Sequence, residues 1–254
     1  MDLTDALGFG GSEVVALVGG GGKTTTMYRL CLEAVGRGRK AIASGTARFT
    51  LPATVKAPLL IDSDEQKLVA DARRRLSEGM PWLILASGRG SKGRLLPISY
   101  EAAASLGEAR EVGLVALEAD GSALRPFKAP AGHEPVIPVA TTLVVPVVGA
   151  DIFGKRLDDE HVHRPELISK LSGSPLGAAI TPEIVARVLA HPQGGCKGVP
   201  PGARVIVIIN KVETLADSTP ARETAERLLR EPAIESVVFT NVRRDNPVAE
   251  IFTR

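Results

Sequence analysis

The stretch "ALVGGGGKTTTMYRL", residues 16–30, decides how this chain is read. An apolar run enters four glycines, then a lysine and three threonines, then a helical pattern. The full phosphate-loop pattern G-x-x-x-x-G-K-[ST] would need a glycine at position 17, where Leu17 stands. The match is to a shorter form, G-x-x-G-K-T, on Gly19, Gly22, Lys23 and Thr24, with Gly20, Gly21 and Thr25 beside them. Glycines let backbone N–H groups converge on phosphate oxygens. The loop opens a helix, whose N-terminus favours anions. In that role Lys23 neutralises the terminal phosphates and the Thr24 hydroxyl ligates Mg²⁺. A dinucleotide turn, G-x-G-x-x-G/A, fails because its last position falls on Thr24 or Thr25, and Ser44-Gly45-Thr46 offers no acid for a ribose. A flexible glycine turn is the bland alternative, and the Lys-Thr step at a helix start argues against it; a phosphate site with only a vestigial nucleotide pocket is the third reading.

Outward from this loop, short β-branched runs alternate with helical patterns. Strands are expected at 13–18, 40–44, 82–87, 112–121, 141–150, 204–210 and 235–241. Helices are expected at 23–37, 63–79 with Ser63 as its cap, 99–109, 181–190 and 219–230. Met27, Leu30, Cys31 and Ala34 recur at helical spacing and should face the core. Strands buried on both faces with helical crossovers imply an α/β fold, a P-loop NTPase-like three-layer arrangement with a mostly parallel sheet. The chain reads as one domain over 1–254, with a loop and helix elaboration around 150–202. Long irregular stretches at 121–140 and 191–202 read as functional loops.

Composition narrows the function. Hydrophobic residues make up 44% and charged residues 24% of 254, as in a globular protein. With 31 basic against 29 acidic residues and 4% aromatics, a nucleic-acid partner is not expected. No apolar run approaches a membrane span, and "MDLTDALGFGG" lacks a secretory signal's apolar core. With two distant cysteines, Cys31 and Cys196, a reducing cytoplasm is the expected location. Cys31 reads as a core thiol; Cys196, in a Gly/Pro-rich loop, reads as inert rather than reactive.

A phosphate loop that handles Mg²⁺ needs an acid at a neighbouring strand end. "LVALEADG" (114–121) supplies Glu118 and Asp120, two residues apart and so on one strand face, where both carboxylates could meet one metal. An ordinary polar strand exit is the alternative, since Asp-Gly also signals a turn.

At this point the chain resembles the selenium-dependent hydroxylase accessory proteins of the YqeC family. The resemblance rests on "VGGGGKTT", "LEADGSALRPFKAPAGHEPVIP", "VVGADIFGKRLDDEHVHRPEL" and "INKVE", and covers the chain to about residue 212. It implies a P-loop protein that assists maturation of selenium-dependent molybdenum hydroxylases, with such a hydroxylase or its cofactor as partner. In form the loop is also similar to the short loop of Mur-type ligases, which bind ATP. Where the family tends to have a threonine-rich stretch after the second strand, this chain has "SGTARF", keeping Thr46 and Arg48.

The middle blocks add candidate substrate-binding residues. Arg125 and Lys128 suit a phosphate or anionic substrate. His133, Glu134, His161, His163 and Arg164 lie in loop-like sequence, and His161 with His163 is too small a set to argue a metal over surface or capping histidines. Asp151 and Lys155 follow a strand's carboxyl end, where ligands gather, or else form a solvated loop pair. "IINKVE" places Asn210, Lys211 and Glu213 in the guanine-motif order N-K-x-D, with Glu for Asp, or else as a plain strand end. The basic loop "ASGRGSKGR" (86–94) is a lid over anions or a solvated loop. The expected ligand is Mg²⁺ with ATP or GTP. Three activities fit: a slow NTPase, an ATP-dependent transferase or ligase acting on a small acid, and a nucleotide-dependent switch.

Overall fold

The computed structural model describes residues 1–109 and 111–254. The strands of its central sheet are β1 Glu13–Gly19, β2 Ala41–Gly45, β3 Leu59–Ile61, β4 Trp82–Ala86, β5 Leu114–Glu118, β6 Leu143–Gly149, β7 Arg204–Asn210, β8 Ser236–Thr240 and β9 Val248–Thr253. Their order is β9-β8-β7-β6-β1-β5-β2-β4-β3. All neighbours pair in parallel except β8 and β9, which are antiparallel. The strand carrying the glycine loop is therefore central, flanked by the acid-bearing β5 on one side and β6 on the other.

The helices are α1 Leu3–Ala6, α2 Lys23–Gly36, α3 Glu65–Ser77, α4 Tyr100–Gly107, α5 Pro165–Ser172, α6 Pro182–Ala190 and α7 Thr219–Leu228. Alternation along the strands divides them into layers. Val15, Leu17, Ala43 and Ala116 pack with α1 and α2 on one face. On the other face, Val14, Ile42 and Val115 pack with α3 and α4, while Ala16, Val18 and Val207 pack with α5, α6 and α7. This is the expected α/β architecture, a large mostly parallel sheet between helical layers. Among the described residues no helix is long and apolar enough to cross a membrane.

Local chemistry sets the boundaries. Met27, Leu30, Cys31 and Ala34 are fully buried, as their spacing predicts. Each large apolar side chain among them contributes about 1.5–3 kcal/mol to seating α2 on the sheet. The α3 cap is Asp64, which accepts the Lys67 N–H, rather than Ser63. Ser99 and Thr181 cap α4 and α6 in the same way. The sequence reading missed α1, β3, α5 and β9. The basic stretch 86–94 contributes to a small antiparallel sheet, in which Gly88–Arg89 and Arg94–Leu96 join Phe49–Thr50. The irregular stretch 121–140 contains Phe127–Lys128, which pairs in parallel with Val162–His163. The second irregular stretch is packed as well as turned, for a Cβ on Gly194 would lie 2.0 Å from the Val188 carbonyl of α6.

Candidate functional site

The glycine loop leaves β1 at Gly19 and enters α2 at Lys23. Gly21 (φ +78°) and Gly22 (φ +136°) occupy backbone conformations that a side chain strains. They are also tightly packed. A Cβ on Gly21 would lie 2.1 Å from the Gly149 nitrogen, and one on Gly22 would lie 2.4 Å from the Asn210 amide nitrogen. Glycine is required here by neighbours as much as by φ. Among the described residues no side chain caps α2, so its first N–H groups carry the helix's positive end toward the cleft.

Lys23 is buried, and its Nζ donates to the Gly19 carbonyl at 2.6 Å. The same ammonium lies 3.3 Å from Asp120 and 3.7 Å from Glu118. The Thr24 hydroxyl donates to Glu118 Oε2 at 2.5 Å. Burial raises the Glu118 carboxyl above its usual range, against the opposing pull of Lys23 and Thr24. The hydroxyl and the carboxylate are hard oxygen donors of the kind Mg²⁺ takes, and one such pair suffices where phosphates and waters complete the shell.

The two acids divide their work. Strand β5 ends at Glu118, so strict alternation does not carry on to Asp120. Asp120 accepts the Gly19 N–H with both oxygens, at 3.1 and 3.0 Å, and pairs with Lys128 at 3.1 Å. It holds the loop base, and Glu118 is the acid beside Thr24.

Behind the loop the ion pairs continue. Lys128 is fully buried and donates to Glu134 at 2.6 Å and to the Gly121 carbonyl at 2.7 Å. Arg164 grips the two Glu134 oxygens at 2.7 and 3.2 Å. Burial alone would raise the Glu134 carboxyl; hydrogen bonds from Arg164 and Lys128 outweigh it and bring it to about 2. Burial first, then Arg164 and Lys128, lower the His163 imidazole pKa.

In front of the loop a cleft of about 360 Å³ opens. Its cationic lining is Lys23, Arg48, Arg94, Arg125, Lys211 and Arg243, with Glu118 as its carboxylate. Thr24, Thr25, Thr50, Ala123 and Leu124 line the same cleft.

The family model described as YqeC protein matches residues 15–166, from β1 through the ion-pair ladder. The chain belongs to the YqeC family. It is also 26% identical over 239 residues to the uncharacterized protein YqeC of Escherichia coli (strain K12), covering 94% of this chain and 91% of that one.

Several residues singled out in this YqeC-family sequence sit apart from the cleft lining. Lys128, Glu134 and Arg164 face one another inside the ladder. His133 is exposed on its outer side, 3.9 Å from Glu134. The Thr46 hydroxyl donates to the Val136 carbonyl at 2.6 Å and ties two loops together. Lys155 is exposed, and its backbone pairs with Ile180. His161 bonds Asp158 at 2.7 Å, which makes it a turn-capping histidine. Among the described residues no group of three or more His, Cys, Asp or Glu is placed to hold a metal ion.

The "NKVE" segment is built into the loop's support. The buried Asn210 amide donates to the Gly21 carbonyl at 2.8 Å, while its oxygen accepts the Thr240 hydroxyl at 3.0 Å and the Val242 N–H at 3.3 Å. Lys211 reaches the cleft and pairs with Asp151 at 2.7 Å. Glu213 is exposed in the turn Val212–Thr214. Sequence reasoning did not name Arg94 or Arg243. Arg94 lay inside a basic stretch that was visible, whereas "NVRRDN" carries no motif.

Proposed function

We propose that this YqeC-family protein binds a Mg²⁺–nucleoside triphosphate, ATP or GTP, and hydrolyses it slowly while assisting maturation of selenium-dependent molybdenum hydroxylases. The observation that carries the nucleotide reading is the Thr24–Glu118 hydrogen bond at 2.5 Å, beside the buried Lys23 and the uncapped start of α2. Phosphates bind the α2 N–H groups of Lys23, Thr24 and Thr25, and the Lys23 ammonium balances their charge. Gly19 to Gly22 keep the backbone close enough for that contact. Thr24 and Glu118 hold Mg²⁺, directly or through water, and the metal when bound supplies charge stabilisation for phosphoryl transfer. Glu118 orients the attacking water, and Asp120 keeps Lys23 and Gly19 in place. The maturation role rests on the family resemblance.

The test is calorimetry with Mg·ATP, Mg·GTP and Mg·CTP on the wild-type protein and on Lys23→Ala, with phosphate release measured in parallel. Binding of at least one nucleotide, weakened tenfold or more by the substitution, is expected. Unchanged binding in Lys23→Ala would overturn the assignment. Equal affinity for ATP and GTP would leave "NKVE" a purely structural segment.

A further inference from the structure

The cleft carries more positive charge than a metal-bound triphosphate uses, and the surplus is sorted by position. Lys23 is compensated by Asp120 and Glu118, and Lys211 by Asp151. Arg48, Arg94, Arg125 and Arg243 have no acidic or hydrogen-bonding partner for their guanidinium groups among the described residues, though acids nearly match bases in the chain. Their placement follows the sheet order. Lys211 and Arg243 come from the loops after β7 and β8, on one side of the glycine loop. Glu118 ends β5 on the other side, and beyond it Arg48 follows β2 and Arg94 follows β4.

The small sheet aims this second pair. Phe49 pairs with Leu95, and both are buried against the core. Thr50 pairs with Arg94, so these two face away from the core. Arg48 lies one step before Phe49, on the same outward side. Arg48, Thr50 and Arg94 all line the cleft. The sheet is anchored to α2, because the Tyr28 hydroxyl donates to the Thr50 carbonyl at 3.0 Å. Two guanidinium groups on a fixed ribbon, with a hydroxyl between them, match an oxyanion.

We infer that Arg48, Thr50 and Arg94 form a subsite for the oxyanion of a second, small anionic substrate, bearing a phosphate or a carboxylate, at the metal-side end of the cleft. The inference rests on the nucleotide reading for its orientation: Thr24 and Glu118 mark the terminal-phosphate end, and the arginine pair lies beyond it. The loop across the mouth supports a site that closes over a ligand. Ala123 (φ +49°) and Leu124 (φ +64°) are consecutive non-glycine residues in left-handed backbone, and Leu124 is 90% exposed at the cleft rim.

The test titrates inorganic phosphate, and separately acetate, into protein saturated with Mg²⁺ and a non-hydrolysable ATP or GTP analogue, followed by calorimetry. The proteins are wild type, Arg48→Ala/Arg94→Ala, Arg48→Lys/Arg94→Lys and Lys23→Ala. One anion should bind at one site per chain, at least tenfold more weakly in the double alanine variant and with an intermediate loss in the lysine variant. Which anion binds tells a phosphate ester from a carboxylate as the natural group. Anion affinity equal in wild type and the double alanine variant would overturn the subsite. So would a loss of nucleotide affinity in that variant as large as in Lys23→Ala, since the arginines would then belong to the triphosphate. Arginine-dependent anion binding in a protein that binds no nucleotide would uphold the subsite and overturn the nucleotide reading.

Discussion

Replacing Glu134 by Gln tests the ladder behind the glycine loop. Glu134 is 15% exposed and joins Lys128 to Arg164. Its carboxyl is brought from 4.5 to about 2 in the folded chain. The folded pKa lies below the unfolded one, so the stabilisation is complete above pH 4.5 and is lost as pH falls toward 2. That difference corresponds to about 3 kcal/mol at neutral pH. Breaking a buried ion pair by removing one partner costs a similar amount, about 3–5 kcal/mol. The expected result in urea unfolding is a wild-type advantage over Glu134→Gln of about 3 kcal/mol at pH 7, falling to about half near pH 3.3. Taking the difference between the two proteins cancels the other carboxyls. An advantage that stays constant across this range would refute the reasoning, because the loss would then be packing rather than charge. An advantage below about 0.5 kcal/mol at pH 7 would show that solvent screens the ladder.

Other substitutions separate support from ligand contact. Gly21→Ala places a Cβ 2.1 Å from the Gly149 nitrogen at φ +78°, whereas Gly36 has open space around its Cα. Thermal melts should show Gly21→Ala destabilised by more than the about 1–2 kcal/mol of left-handed strain alone, with Gly36→Ala neutral or stabilised. Asn210→Ala removes the bond to Gly21 and leaves Thr240 and Val242 without their acceptor, so a loss of about 1–3 kcal/mol is expected even without nucleotide. An unchanged melting temperature would return Asn210 to base recognition alone. Burial pushes the Cys31 thiol up and the Cys196 thiol to about 11. Mass spectrometry after iodoacetamide at pH 7 should find neither labelled until urea unfolds the chain. Rapid labelling of native Cys196 would contradict its environment.

The sequence carried the parallel strands and α2 plainly, because each is a long apolar run or a sustained helical period. It hid β3 and β9, which are half-exposed edge strands with little alternation. It hid α5, which follows Arg164 in left-handed backbone rather than a capping side chain such as Ser99 before α4. At the site, Lys23, Thr24 and Glu118 were legible from local spacing. The separate duties of Glu118 and Asp120 were not, since spacing says both can face one way but not that β5 ends between them. Lys128, Glu134 and Arg164 read as ligand-binding charges because sequence shows no pairing. Their partners are set by the parallel contact of Phe127–Lys128 with Val162–His163, more than thirty positions apart.

The charges in this protein are separated by what compensates them. Behind the glycine loop, Lys128 and Arg164 meet Asp120 and Glu134, so a site of high charge density is held with its burial cost offset internally. In front, Arg48, Arg94, Arg125 and Arg243 line the cleft, without counter-charges among the described residues. The first group cannot respond to a ligand without leaving an unpaired buried ion, so it fixes geometry. The second group is solvated, and its field falls on whatever anion enters. Substitutions behind the loop should therefore appear first in stability and those in front first in anion affinity, and salt should weaken the second effect far more than the first.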